Sequence, residues 1–132
     1  TAAFLYRHSD EERVHMLKLI KFVNDRGGRA LVPALKQPQK EYKSITHIFQ
    51  TLLEHETDVT ACINQVVDLC LKEKDYTTHN FMQWYVSEQI EEETLARTLI
   101  DKLELIGTDK GGLYLFDRDL QGLTAPARGG GA

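Results

Sequence analysis

The sequence predicts an all-α protein, a bundle of three long helices and one short C-terminal helix. Three observations predict it. Apolar residues recur at alternating spacings of four and three along most of the chain, the period of a helix with one buried face. The prolines, Pro33, Pro38 and Pro126, all fall outside those stretches, where they cost no helical hydrogen bond. No run alternates apolar and polar residues with the two-residue period of a strand.

The first helix is expected over Thr1 to Asp25, a stretch free of Pro and Gly, and Gly27-Gly28 supplies its stop. Gly28 to Lys43, with Pro33 and Pro38, reads as irregular. Ser44 is a candidate N-cap for a second helix running to about Lys74. Asp75-Tyr76-Thr77-Thr78 reads as a short break, after which a third helix continues to Ile106 and ends at Gly107. Gly111-Gly112 precede a short apolar element over Leu113 to Leu123. The break at Asp75 makes helices two and three antiparallel neighbours. The earlier connection of some 16 residues can extend to roughly 50 Å, longer than the roughly 38 Å of a 25-residue helix. It can therefore run back along the bundle and leave helices one and two parallel.

A chain of 132 residues forms about one domain, here residues 1–123, with 124–132 expected to be a flexible tail. A net charge of −4 opposes nonspecific attraction to nucleic acid or anionic lipid, and no Lys/Arg run compensates. We therefore expect neither as a partner. No stretch approaches the ~18 apolar residues of a membrane span, and Thr1–Arg13 is too charged for a signal peptide. Cys62 and Cys70 are eight residues apart on one helix, a rise of about 12 Å, beyond disulfide reach. Both are expected to be small buried side chains in a reducing, cytoplasmic setting.

Each long helix has an apolar seam interrupted near its middle. Helix two shows Ile45, Phe49, Leu52, Glu56, Val59, Ile63, Val66 and Cys70; helix one shows Leu5, His8, Glu12, His15, Leu19 and Phe22. Helix three shows Phe81, Tyr85, Glu88, Glu92, Leu95, Leu99 and Leu103. A carboxylate buried in such a seam needs a cation, a proton or a metal, and basic residues are missing from these faces. Glu12 and His15 form Glu-x-x-His, which sets a carboxylate and an imidazole one turn apart on one face. Gln89 and Glu92 repeat that spacing with an amide in place of an acid, and Glu56 adds a carboxylate. Oxygen donors with one imidazole suit iron or manganese. Carboxylates from facing helices with Glu-x-x-His describe a di-metal bundle site. His8 reads as a core or rim histidine and His55 as lying off the seam. Trp84 and Tyr85 read as core aromatics, and the run Glu91–Glu93 as solvated surface.

These residues bring the chain close to a known family. Ala2-Ala3-Phe4-Leu5, Glu11-Glu12-Arg13-Val14-His15-Met16, Phe81-Met82-Gln83-Trp84-Tyr85-Val86-Ser87-Glu88-Gln89 and Glu91-Glu92-Glu93 resemble the bacterial non-haem ferritins. Gly112-Leu113-Tyr114-Leu115-Phe116-Asp117 resembles that family's entry into its short fifth helix. The resemblance implies a ferritin-like bundle and a cytoplasmic, 24-subunit homo-oligomeric shell that stores iron. It implies a ferroxidase, in which Fe(II) is oxidised by dioxygen or hydrogen peroxide at a di-iron centre and ferric mineral is deposited inside the shell. Glu12 would bridge two irons, His15 would bind the first, and Glu56 and Glu92 the second, with Gln89 as a polar neighbour. Glu11, Glu88 and Glu91, with Glu92, resemble the acids of a third iron site. The family's first helix would precede Thr1; without it, impaired iron binding at the first site and slow oxidation are expected. The alternatives are an iron-free structural or assembly module of the same fold, and a di-metal oxidase that stores nothing.

Overall fold

The computed structural model describes residues 1–123, so the expected tail over 124–132 lies outside the described residues. Four helices follow in order: α1 (Ala2–Asp25), α2 (Ile45–Glu73), α3 (Tyr76–Ile106) and α4 (Lys110–Gly122). No strand occurs among the described residues. None of these helices is long and apolar enough to cross a membrane.

The chain divides into two compact units, Thr1–Gln39 with Lys110–Ala132, and Lys40–Asp109. In the first, α1 ends where the two glycines predict. Gly27 takes φ +78°, the Gly28 amide donates to the Val23 carbonyl and the Gly27 amide to that of Asn24. These paired bonds satisfy carbonyls that a helix end otherwise leaves open. Phe4 and His8 are buried on α1, stacked with ring centroids 6.0 Å apart, and Phe116 and Leu120 are buried on α4. The Arg7 guanidinium donates to the carbonyls of Leu120 (2.8 Å) and Leu123 (3.4 Å), setting a cation at the end of α4 where the helix dipole favours one. The short helix starts earlier than the sequence suggests, since Gly111 and Gly112 lie inside α4. Glycine costs a helix only about 1 kcal/mol per residue, which the buried Phe116 and Leu120 outweigh.

The second unit is the α2–α3 hairpin. The Ser44 side chain accepts from the His47 amide at 3.0 Å, the N-cap expected at that residue. The reversal is tighter than the sequence suggests, because α3 begins at Tyr76 instead of after Thr78. Asp75 is the cause: its carboxylate accepts from the Thr78 amide and satisfies the open start of α3. Lys74 takes φ 57°, and the Asp75 amide bonds back to the Cys70 carbonyl. This is the closure Gly27 makes on α1, built here on a residue with a Cβ.

The seams need correction on all three long helices: on α1 Leu19 is exposed, and on α3 Phe81, Glu88 and Leu95 are only half-buried. On α2 the buried residues Phe49, Glu56, Ile63 and Cys70 recur every seven positions as expected, but Val59 and Val66 are exposed. The second row of the seam is instead Leu53, Thr60 and Val67, each one position further along and half-buried. On α3 the buried row is Met82, Tyr85, Gln89, Glu92, Ala96, Leu99 and Leu103. Ile63, Met82 and Tyr85 form a core cluster, with Phe81 and Trp84 packed against it. Tyr85 meets Trp84 edge to face at 4.8 Å, so both serve the core as expected, and burial pushes the Tyr85 hydroxyl's pKa upward. Cys62 is exposed, contrary to the expectation that both thiols are buried, whereas Cys70 is buried.

Candidate metal centre

On α1, Glu12 stands between two imidazoles. Its Oε1 lies 3.5 Å from His15 Nδ1, one turn on, and 4.0 Å from His8 Nε2, one turn back. Helical spacings of three and four put all three on one face. The Glu12 Oε1 atom is buried and has no hydrogen bond among the described residues. A carboxylate oxygen in that state is a poor structural element and a good ligand. His8, taken as a core or rim residue from sequence, is buried and also turned toward Glu12. The signal was its position four residues before the acid. Glu11, beside the motif, is half-buried.

In the α2–α3 hairpin, Glu56 and Glu92 are among the most buried polar residues, at 5% and 3% exposure. Each offers a carboxylate oxygen, and the two oxygens lie within 4.8 Å of each other. Two carboxylates this close and this buried repel unless a cation or proton is shared between them. Glu88 and Glu92 also bring carboxylate oxygens within 4.8 Å; Glu88 is half-buried and Glu91 exposed. His55 is exposed, off the seam as expected.

Gln89 is buried between them and organises the α2 side. Its amide nitrogen lies 3.0 Å from the Glu56 carbonyl, 3.2 Å from Glu56 Oε2 and 3.2 Å from Thr60 Oγ1. A carbonyl and a carboxylate can only accept, so the amide must present its N–H groups to them. Thr60 in turn donates its hydroxyl to Glu93 Oε1 at 2.7 Å, and the other oxygen of Glu93 is held by Arg97. The Thr60 hydroxyl, then the Arg97 guanidinium, hold the Glu93 carboxyl below the usual range. The Glu91–Glu93 run is thus not uniformly solvated surface: Glu93 is half-buried in this network. Sequence reasoning passed over Thr60 because its apolar neighbour Val59 fitted the seam better.

Comparison with known proteins identifies the family. A ferritin-like domain of the ferritin family matches residues 1–106. The chain is 45% identical over 127 residues to a probable bacterial non-heme ferritin-like protein of Haemophilus influenzae, covering 96% of this chain and 77% of that protein. It is 44% identical to a bacterial non-heme ferritin of Campylobacter jejuni, covering 92% and 72%. The chain belongs to the ferritin family. Among solved structures, an open pore ferritin from Archaeoglobus fulgidus superposes with a TM-score of 0.89 at 40% identity, over 92% of this chain and 75% of that one. A humanized archaeal ferritin gives 0.90 at 39% identity, over 94% and 76%. The ferritin fold expected from the quoted motifs is therefore confirmed, as is the all-α class.

Proposed function

We propose that this ferritin-family chain is an iron-storage subunit that oxidises Fe(II) at a carboxylate-rich di-iron centre and deposits ferric mineral within a hollow homo-oligomeric shell. Glu12 and His15 supply ligands from α1, Glu56 and Glu92 from α2 and α3. Gln89 orients Glu56, and Glu11, Glu88 and Glu91 are candidates for a third iron position. The observation that carries this reading is the pair of buried carboxylates, Glu56 and Glu92, with oxygens within 4.8 Å in mid-seam. The exposed-face explanation available to most acidic residues does not apply to them. Glu12, whose Oε1 is buried beside His15 although its side chain is partly exposed, supports it with a carboxylate–imidazole pair.

Here iron is substrate and cargo. The carboxylates neutralise its charge, and two irons held close together can each give an electron to dioxygen or hydrogen peroxide without a diffusive encounter. Oxygen donors with imidazole fit iron better than a thiolate-seeking metal, and the free thiols Cys62 and Cys70 take no part in the reading. The working compartment we propose is the cytoplasm, the redox setting in which free thiols persist.

The test is Fe(II) added under air to the full chain, with near-ultraviolet absorbance followed against a protein-free control. Growth above the control that Glu56→Ala and Glu12→Ala each reduce is the expected result. No growth above the control refutes the ferroxidase and favours an iron-free assembly module. Size-exclusion chromatography separates storage from a lone oxidase, since a mineral core needs a large hollow particle.

A further inference from the structure

Thr60 lies on no metal-ligating motif, yet it joins two acids of different fate. Its hydroxyl carries one proton, and that proton goes to Glu93 Oε1 at 2.7 Å. Its lone pairs then face the Gln89 amide nitrogen at 3.2 Å. The direction is fixed from outside, because Glu93 is paired with Arg97 and so is an ionised acceptor. A chain of donors and acceptors therefore runs from Arg97 through Glu93, Thr60 and Gln89 to Glu56, entirely within the α2–α3 hairpin.

We propose that Thr60 is a positioning residue for the metal centre: anchored on Glu93 and accepting from the Gln89 amide, it holds that amide on Glu56 and sets the rotation of the Glu56 carboxylate. The inference rests on the metal-binding reading above. Glu93 lies four residues after Gln89, on the same face of α3. If the Thr60 hydroxyl is removed, Glu93 Oε1 loses a donor and the Gln89 amide loses an acceptor. The amide is then no longer steadied from the Thr60 side, and its hold on the Glu56 carboxylate loosens. Groups that orient a metal ligand in this way commonly change metal affinity about 10- to 100-fold. The Arg97–Glu93 pair sits at the exposed end, with Arg97 half in water, so its own contribution to stability is small. Its part is to fix the direction of the chain.

The probe is Co(II), titrated into the metal-free full chain and read by its visible d–d absorption. Thr60→Val is expected to weaken Co(II) binding about 10- to 100-fold and to change the band shape at saturation. Thr60→Ser, which keeps the hydroxyl, should restore both. Arg97→Gln, at an exposed position, should shift affinity in the same direction but less. In metal-free protein, the Gln89 side-chain amide protons should be slow to exchange and become fast in Thr60→Val. Wild-type chain that binds Co(II) with Thr60→Val unchanged in affinity and spectrum overturns the positioning role alone. Wild-type chain that binds no Co(II) overturns the metal reading and this inference with it. If Thr60→Val merely unfolds, the Co(II) spectrum and the Gln89 exchange rate, both measured in Arg97→Gln, decide: no change in either overturns the inference.

Discussion

Gln89 donates its side-chain amide to Glu56 at two points, the main-chain carbonyl at 3.0 Å and a carboxylate oxygen at 3.2 Å. One side chain on α3 thus fixes both the backbone and the Glu56 carboxylate of α2. Gln89→Leu keeps the volume and removes the donor, leaving buried acceptors short of a partner. That typically costs about 1–3 kcal/mol, and urea unfolding of the metal-free chain should register a loss of this size.

Glu56 and Glu92 pull stability and function in opposite directions. Glu92→Gln replaces one of two close, buried carboxyl groups with a neutral amide of the same shape, and the metal-free chain should become more stable by about 1 kcal/mol. The same change removes a proposed iron ligand, so the initial rate of Fe(II) oxidation should fall by about tenfold or more. Thermal unfolding and oxidation rates on one preparation check both signs together.

The pH dependence of Glu93 gives a third prediction. Its folded carboxyl sits below the ordinary value chiefly because Thr60, and next Arg97, bond to the ionised form. A carboxyl lowered on folding adds stability that is complete above its unfolded value, roughly 4.3, and declines as pH falls through the folded value. In Thr60→Val the part of that addition supplied by the Thr60 hydroxyl is absent. The pH-dependent part of the stability difference between the two proteins should therefore be full near neutrality and shrink as the solution is acidified below that point. Urea midpoints from neutral to acid pH would show it; a gap that widens on acidification contradicts it.

The thiols should differ sharply in reactivity. Cys62 is exposed, whereas Cys70 is buried and its pKa is pushed up, first by that burial and then by the nearby Asp75 charge. A chromogenic disulfide reagent should modify Cys62 rapidly in the native chain and Cys70 only after denaturation.

Much of the helix layout was legible in the sequence because its signals are local. Ser44 caps α2 and Gly27-Gly28 close α1 through side-chain and backbone geometry that a few residues suffice to specify. The acids in mid-seam were legible for the same reason: Glu56 and Glu92 break an apolar row at positions fixed by helical period, and both are buried. What was not legible depends on neighbours in space. Val59 and Thr60 fit the four-three rhythm almost equally well, and only α3 opposite them decides that Thr60 faces inward. Cys62 looked like core because it is small and apolar, but it falls on the outer side of that same helix. Lys74 gave no warning of a left-handed turn, since the residue usual at that point is glycine. The ligand assignments drawn from family likeness stand as proposals, with Glu12, His15, Glu56 and Glu92 the residues most worth mutating.

The Lys74 conformation has a consequence for the integrity of the hairpin. Helix lies on both sides of it to within two residues, and a left-handed backbone costs a residue with a Cβ about 1–2 kcal/mol. Returning Lys74, together with the ψ of 79° at Asp75, to the right-handed helical basin would fuse α2 and α3 into one continuous rod. Such a rod could regain its lost contacts only by clasping the same segment of a second molecule, so the corner at Lys74 and Asp75 separates a self-contained hairpin from an exchanged pair.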